Sequence, residues 1–433
     1  MPGSRHPFPS PPPVARRSLL LAAAGGLLAT ACGSAMSQPA GKVALHGDNA
    51  DWREPLAQAG GAMRSVAGIE LVPEVIPSLE SFEQMVKSSL RTRKTPDMLK
   101  YWSGYRLQDL ARTGGIEELT GAWEEAESAG WVDPSLRPAF TYRDRVYGLP
   151  MNLTYWVFFY NTEVFAELGL SAPRTWDAFL DACATFRAAG ITPLHATTDG
   201  RWPAFIWFME VLSRQDPEFY EALMNGREDY TDPRAERALT TIAEFAENDW
   251  FTALDTNHTD AAAAVVHGTL GMMPGGTFMT PSLINAGGEP GGNVDAFVLP
   301  MADPSAHPCM IFESSALVCT VKGPDRKEAL EAAAAWLHPE VSAAFSSTLQ
   351  DGSPNPEVTA ANPMVEGIVR TVRERELTML NRFWELGPPE LVEATVDDLA
   401  GFLLNPSSAR STLATMQERA DDAWQVWREA ERS

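Results

Sequence analysis

Three tryptophans stand where a side chain can meet a ligand instead of being buried by a helix: Trp102 ends an apolar run, Trp202 lies in a turn, and Trp384 sits beside Phe383. Short polar groups occupy comparable places. Asp48 and Asn49 leave a first strand, Glu74 ends a second, Asn152 and Thr154 belong to a strand after a turn, and Arg201 and Glu313 flank later connections. An aromatic face covers the C–H side of a polyhydroxylated ring, and short polar side chains meet its hydroxyls at fixed angles. A carboxylate accepts from two neighbouring hydroxyls at once, which singles out Asp48 and Glu74. The competing reading for a tryptophan is core packing. It suits Trp123, Trp131, Trp207, Trp336, Trp424 and Trp427, which fall on amphipathic helices or their flanks. Each polar residue could equally be a solvated loop group, Asp48 a helix cap, and Arg382 a surface charge.

Other chemistry finds no matching spacing. The chain has no Gly-x-Ser-x-Gly, no Walker loop, no Gly-x-Gly-x-x-Gly after a strand, and no His-x-x-x-His or Cys-x-x-Cys. Its seven histidines are scattered, and His258 and His267 read as surface or packing residues. No metal or cofactor is expected. Paired carboxylates for glycoside hydrolysis remain open, because their separation is a property of the fold.

The positioning elements read as α/β. Strands at 42–46 and 69–75 bracket a helix at 52–66, and a second helix begins at Ser81. Ligands of open α/β sheets bind at strand carboxyl ends, where Asp48, Glu74 and Trp102 fall. Tyr147-Gly148-Leu149-Pro150 turns the chain into an apolar strand ending near Asn161, and Pro173 with Thr175 opens a helix at 176–189 closed by Gly190. A short strand at 191–195, helices at 204–212 and 232–247, a strand at 294–300 and a strand at 314–321 follow. A helix at 325–337 precedes a helical carboxyl region that includes 380–386 and 399–427. Gly287 to Gly292 is a surface connection, since no helix follows to make it a phosphate cradle.

Residues 147–165 and 173–179, with Ala261 to Gly268 and Leu270 to Phe278, resemble the family 1 extracellular solute-binding proteins, the sugar-capturing subunits of ABC importers. The resemblance runs from Lys42 onward. It implies a two-lobed periplasmic-binding-protein fold with a cleft between lobes and several hinge crossings. Lobe 1 would comprise 42–150 and 313–350, and lobe 2 would comprise 151–312 with most of a helical region at 351–433. It also places Trp102, Trp202 and Trp384 where relatives stack sugars. Gly275 and Gly276 would let backbone approach a ligand, and Phe278 would stand where relatives carry tryptophan. The implied partners are a carbohydrate and ABC permease subunits, with the protein a monomer and not an enzyme. A glycerol-phosphate or polyol carrier, a sugar sensor and an extracytoplasmic glycosidase stay open.

Residues 1–31 carry Arg16 and Arg17 ahead of a short apolar segment, resembling a twin-arginine signal, and Leu28 to Cys32 resembles a lipobox. The expectation is export, lipidation at Cys32, and a polar tether at 32–41 holding the protein at the outer face of the membrane or in the periplasm. The net charge is −23, and three arginines and no acid leave with the signal. Such an acidic chain repels phosphate backbones, so nucleic acid is not a partner. Cys183, Cys309 and Cys319 remain, either buried thiols or a Cys309–Cys319 bridge with one left over.

Overall fold

A computed structural model describes residues 41–76 and 78–432. The signal, the paired arginines and Cys32 lie outside the described residues. Alternating burial along β1 (Gly41–Gly47) sends Val43 and Leu45 into the core. Helix α1 (Arg53–Ala67) follows, ended by Gly68 in the left-handed region, and returns the chain to β2 (Ile69–Val75), which pairs parallel with β1. Helix α2 (Leu79–Ser89) is capped by the Ser78 hydroxyl, so it begins ahead of the expected Ser81. Strand β3 (Met98–Trp102) is buried along its whole length and runs parallel to β1, and α3 (Gly104–Arg112) leaves its end.

The chain then supplies β4 (Leu149–Pro150) to this sheet and, four residues later, β5 (Thr154–Asn161) to another. All eight residues of β5 are buried, as in a strand covered on both faces. Helix α4 (Trp176–Ala188), capped by Thr175, leads to β6 (Thr192–Leu194), and α5 (Ile206–Gln215) and α6 (Pro233–Glu247) follow. Helix α7 (His258–Val266) precedes β7 (Leu270–Gly276), β8 (Val294–Phe297) and β9 (Cys309–Glu313). Only Ser314 separates β9 from β10 (Ser315–Cys319), yet the two strands belong to different sheets. Helices α8 (Arg326–Trp336) and α9 (Pro339–Leu349) close that excursion, and α9 packs on α1. Strand β11 (Thr378–Asn381) and helices α10 (Pro389–Leu404) and α11 (Ala409–Arg432) complete the chain.

The first sheet has the order β2-β1-β3-β10-β4, and the second β11-β9-β5-β7-β6 with β8 also on β5. This is an α/β fold of two lobes. Residues 380–386, expected as helix, are instead the end of β11 and a short 3-10 turn at Phe383–Glu385. Pairing with β9 overrides local preference there, and β9 itself went unread in the sequence. Cys183, Cys309 and Cys319 are free and buried, so no Cys309–Cys319 bridge forms.

The three passages between the sheets meet at Asp351, which is fully buried. Its carboxylate accepts from Asn152 Nδ2 (3.1 Å), Thr154 Oγ1, Thr277 Oγ1 (2.5 Å) and its neighbour Gly352 N (2.8 Å). Asn152 extends the knot, accepting from Ser315 N at 3.0 Å and from Ser314 Oγ at 2.5 Å. Leu153 N donates to Gly352 O at 3.0 Å. Burial raises the Asp351 carboxyl pKa, and its four donors only partly oppose that shift.

Candidate ligand-binding site

A cavity of about 430 Å³ opens above this knot. The loop after β1 supplies Asp48, Asn49, Ala50 and Trp52 to one wall, and β3 adds Lys100 and Trp102. Opposite stand Trp202 and Phe278. Asn152, Glu313, Ser314 and Ser315 form the floor, and the turn after β11 brings Arg382, Trp384 and Glu385.

Each charge here already has a partner. Lys100 Nζ lies 2.8 Å from Asp48 Oδ1, with the ammonium 4.8 Å from the Trp102 ring centre and 5.4 Å from that of Trp52. The Arg382 guanidinium pairs with Glu313 through Nη1 and with Glu385 through Nη2 (2.5 Å) and Nε (2.9 Å). Burial works against the Arg382 charge, but Glu313 and Glu385 outweigh it and raise its pKa. Burial pushes the Glu313 carboxyl up to about 7, against the pull of Arg382. The cavity therefore holds three carboxylates and two cations, with both cations neutralised.

The aromatic walls are braced from behind. Trp202 packs on His258 (5.1 Å between centres) and edge-on to Trp156 (6.5 Å), and Phe278 also meets Trp156 (6.2 Å). Trp384 stacks with Phe205 at 6.3 Å. Asn49 Oδ1 is committed to capping, accepting from Asp51 N at 2.9 Å.

The structure brings together Asp48, Asn49, Trp102, Asn152, Trp202, Phe278, Glu313 and Trp384. Thr154, Gly275 and Gly276 lie behind the cavity, not on it. A Cβ on Gly276 would stand 2.5 Å from the Phe278 ring and 2.6 Å from the Thr154 methyl, so the glycine makes room for side chains instead of a ligand. Glu74 and Arg201 are elsewhere. Glu74 is exposed and 3.3 Å from His46 Nε2, and Arg201 is turned by its positive φ to a surface pair with Asp397. Arg382 is buried rather than a surface charge. The sequence reading missed Trp52, Lys100, Ser314, Ser315 and Glu385. Lys100 had a usable signal, a lysine inside an otherwise apolar strand, which is rarely buried without a partner.

Residues 46–343 match the family described as bacterial extracellular solute-binding protein. The chain belongs to that family. As an extracellular solute-binding protein it is exported, and among the described residues no helix is long and apolar enough to cross a membrane. A probable sugar-binding periplasmic protein of Mesorhizobium japonicum is 30% identical over 131 residues, 29% of this chain; the chain spans 30% of the length of that curated relative. Among solved structures, the bacterial solute receptor AcbH, whose description gives a preference for β-D-galactopyranose, superposes with a TM-score of 0.79 at 20% identity, covering 89% of this chain and 99% of the other. A chitin oligosaccharide binding protein gives 0.76 at 17%, covering 89% and 100%. A solute-binding protein from Thermotoga lettingae bound with α-D-tagatose gives 0.71 at 16%, covering 88% and 99%. These similarities show the fold.

Proposed function

We propose that this solute-binding protein captures an uncharged carbohydrate in the cavity and passes it to an ABC permease. The observation that carries the reading is the combination of four tryptophans and Phe278 around a space whose cations are already paired. Ring faces accept C–H surfaces, while the carboxylates and Asn152 retain acceptor capacity for hydroxyls. A phosphate or uronate would have to displace Asp48 from Lys100 or Glu313 and Glu385 from Arg382, at a cost no free cation offsets. That argues against the phosphate-ester alternative. The sugar ligands of the relatives point the same way. Bridging both walls, a ligand favours the closed arrangement of the lobes about the crossings at 150–154, 313–315 and 351–352.

The protein carries and does not convert its ligand in this reading. Glu313 and Glu385, the carboxylates best placed to act as an acid and base pair, share one guanidinium instead of facing each other across a substrate. Cys32 is acylated and tethers the protein outside the membrane; the support is the lipobox resemblance. Cys32→Ser should release the protein from membranes or stall its processing, and unchanged association would refute the anchor.

A melting-temperature screen decides the main point. Neutral mono- and oligosaccharides, uronates and sugar phosphates are added to purified protein at increasing concentration. A ligand at a hundred times its Kd stabilises the fold by about 2.7 kcal/mol. At least one neutral sugar should raise the melting temperature and no anionic analogue should. A response to sugar phosphates alone would overturn the assignment, and turnover of aryl glycosides would replace it with a hydrolase.

A further inference from the structure

Arg106 does not line the cavity, yet two of the cavity's tryptophans rest on it. It lies in the first turn of α3 and is 3% exposed. Its guanidinium carbon is 4.2 Å from the ring centre of Trp384 and 5.3 Å from that of Trp102. Nη1 donates to Glu83 Oε1 on α2 and Nη2 to Glu393 Oε1 on α10, each at 3.0 Å. One buried cation thus touches a platform from each lobe and is held by a carboxylate from each lobe. The backbone beside it is equally close. Gly104 has φ +64, and a Cβ there would lie 2.2 Å from Glu385 O, so only glycine lets α3 reach the turn carrying Trp384.

An ion pair that merely joined two lobes would gain nothing from ring faces, and apolar packing often serves as well. A planar guanidinium stacked on rings and forked to two carboxylates has a fixed orientation, which it imposes on the rings.

We propose that Arg106 is a positioning residue of the binding site, setting Trp102 and Trp384 relative to each other so that the two lobes present one aromatic surface. The role rests on the carbohydrate reading above, and the test separates the two. Arg106→Met keeps an unbranched stem without the fork, and Arg106→Lys keeps the charge without the plane. Near-ultraviolet circular dichroism of ligand-free protein reads the asymmetry of the tryptophans directly. Arg106→Met should change the tryptophan band, Arg106→Lys should restore only part of it, and in a Trp102→Phe/Trp384→Phe background Arg106→Met should change nothing further.

The second arm is calorimetric titration with D-galactose, maltose and diacetylchitobiose. For any probe the parent binds, Arg106→Met should weaken affinity about tenfold or more, and within a Trp384→Ala background the same change should cost much less, because the two act through one contact. An unchanged band together with affinity within about twofold would reduce Arg106 to a structural ion pair and overturn the proposal. So would an equal loss in both backgrounds. If no probe binds the parent, the carbohydrate reading fails while the dichroism still decides the positioning role. Should Arg106→Met not fold, Glu393→Ala, which removes the acceptor of Nη2 at a partly exposed carboxylate, must shift the band in the same direction or the proposal falls.

Discussion

Asp351→Ala removes one acceptor from four donors in a site without solvent: Asn152 Nδ2, Thr154 Oγ1, Thr277 Oγ1 and Gly352 N. Leaving a buried donor unsatisfied costs about 1–3 kcal/mol, and the two hydroxyls can turn toward other acceptors while the amide groups cannot. Counting only the two amide donors, Asp351→Ala should destabilise by about 2–6 kcal/mol. Asp351→Asn keeps the shape and lets its oxygen accept from Gly352 N, but its NH2 then faces Asn152 Nδ2, donor against donor. That single mismatch costs about 1–3 kcal/mol, partly offset because no charge is buried. The order alanine worse than asparagine is therefore expected in guanidinium-chloride unfolding. Because the knot joins the lobes, Asp351→Ala should also split one transition into two. The pH dependence has a definite sign. The folded pKa lies above the unfolded value, so the native state holds this proton more tightly, and the stability it contributes at low pH is lost as pH rises through the folded pKa. Asp351→Asn should remove that loss. An alanine variant within about 1 kcal/mol of the parent, unfolding in one step, would refute the knot as the element that ties the crossings together.

Trp102→Ala and Trp384→Ala should each weaken sugar binding by about 1–3 kcal/mol in calorimetric titration and, because both rings are buried against neighbouring side chains, should lower the melting temperature as well. Arg201→Ala and Glu74→Ala should leave affinity unchanged and stability within about 0.5 kcal/mol, since both side chains are exposed and away from the cavity. Burial lowers His258 to about 4 and His195 to about 3, both below the usual 6.5. The unfolded chain then binds more protons, so stability is full above pH 6.5 and falls as pH drops toward 4, by on the order of 2–3 kcal/mol for His258. Melting curves from pH 7 to 4.5 check this, and His258→Phe should flatten the slope.

What the sequence made legible follows from how local each signal is. Strand β5 announces itself through eight consecutive residues that can all be buried, and the Thr175 and Asp232 caps mark their helices within four residues. Strand β11 is only Thr378–Asn381, and it is a strand because β9 lies beside it, about seventy residues earlier in the chain. Lys100 and Asp48 form a pair that no sequence spacing advertises, and Arg106 meets Glu393 from 287 residues away. Arg201, expected at the site because it flanks a connection, stands away from the cavity while its neighbour Trp202 lines it. The positive φ at Arg201 accompanies a turn in which adjacent side chains diverge, Trp202 to the cavity and Arg201 to Asp397. Residue types thus named the aromatic chemistry, while the pairing of charges, which decides what the cavity excludes, needed the fold.

Glu313 and Ser315 are separated by a single residue but belong to strands of different sheets. A rotation displaces each atom in proportion to its distance from the axis, so groups at this junction travel little however far the lobes swing. In the lobe closure proposed above, Asn152, Glu313 and Ser315 would therefore serve as a fixed ruler against which a ligand registers. In such a closure, substitutions at Asn152, Glu313 or Ser315 should change the rate of capture, and those at Trp52 or Trp202 the time a ligand stays, which stopped-flow binding would read.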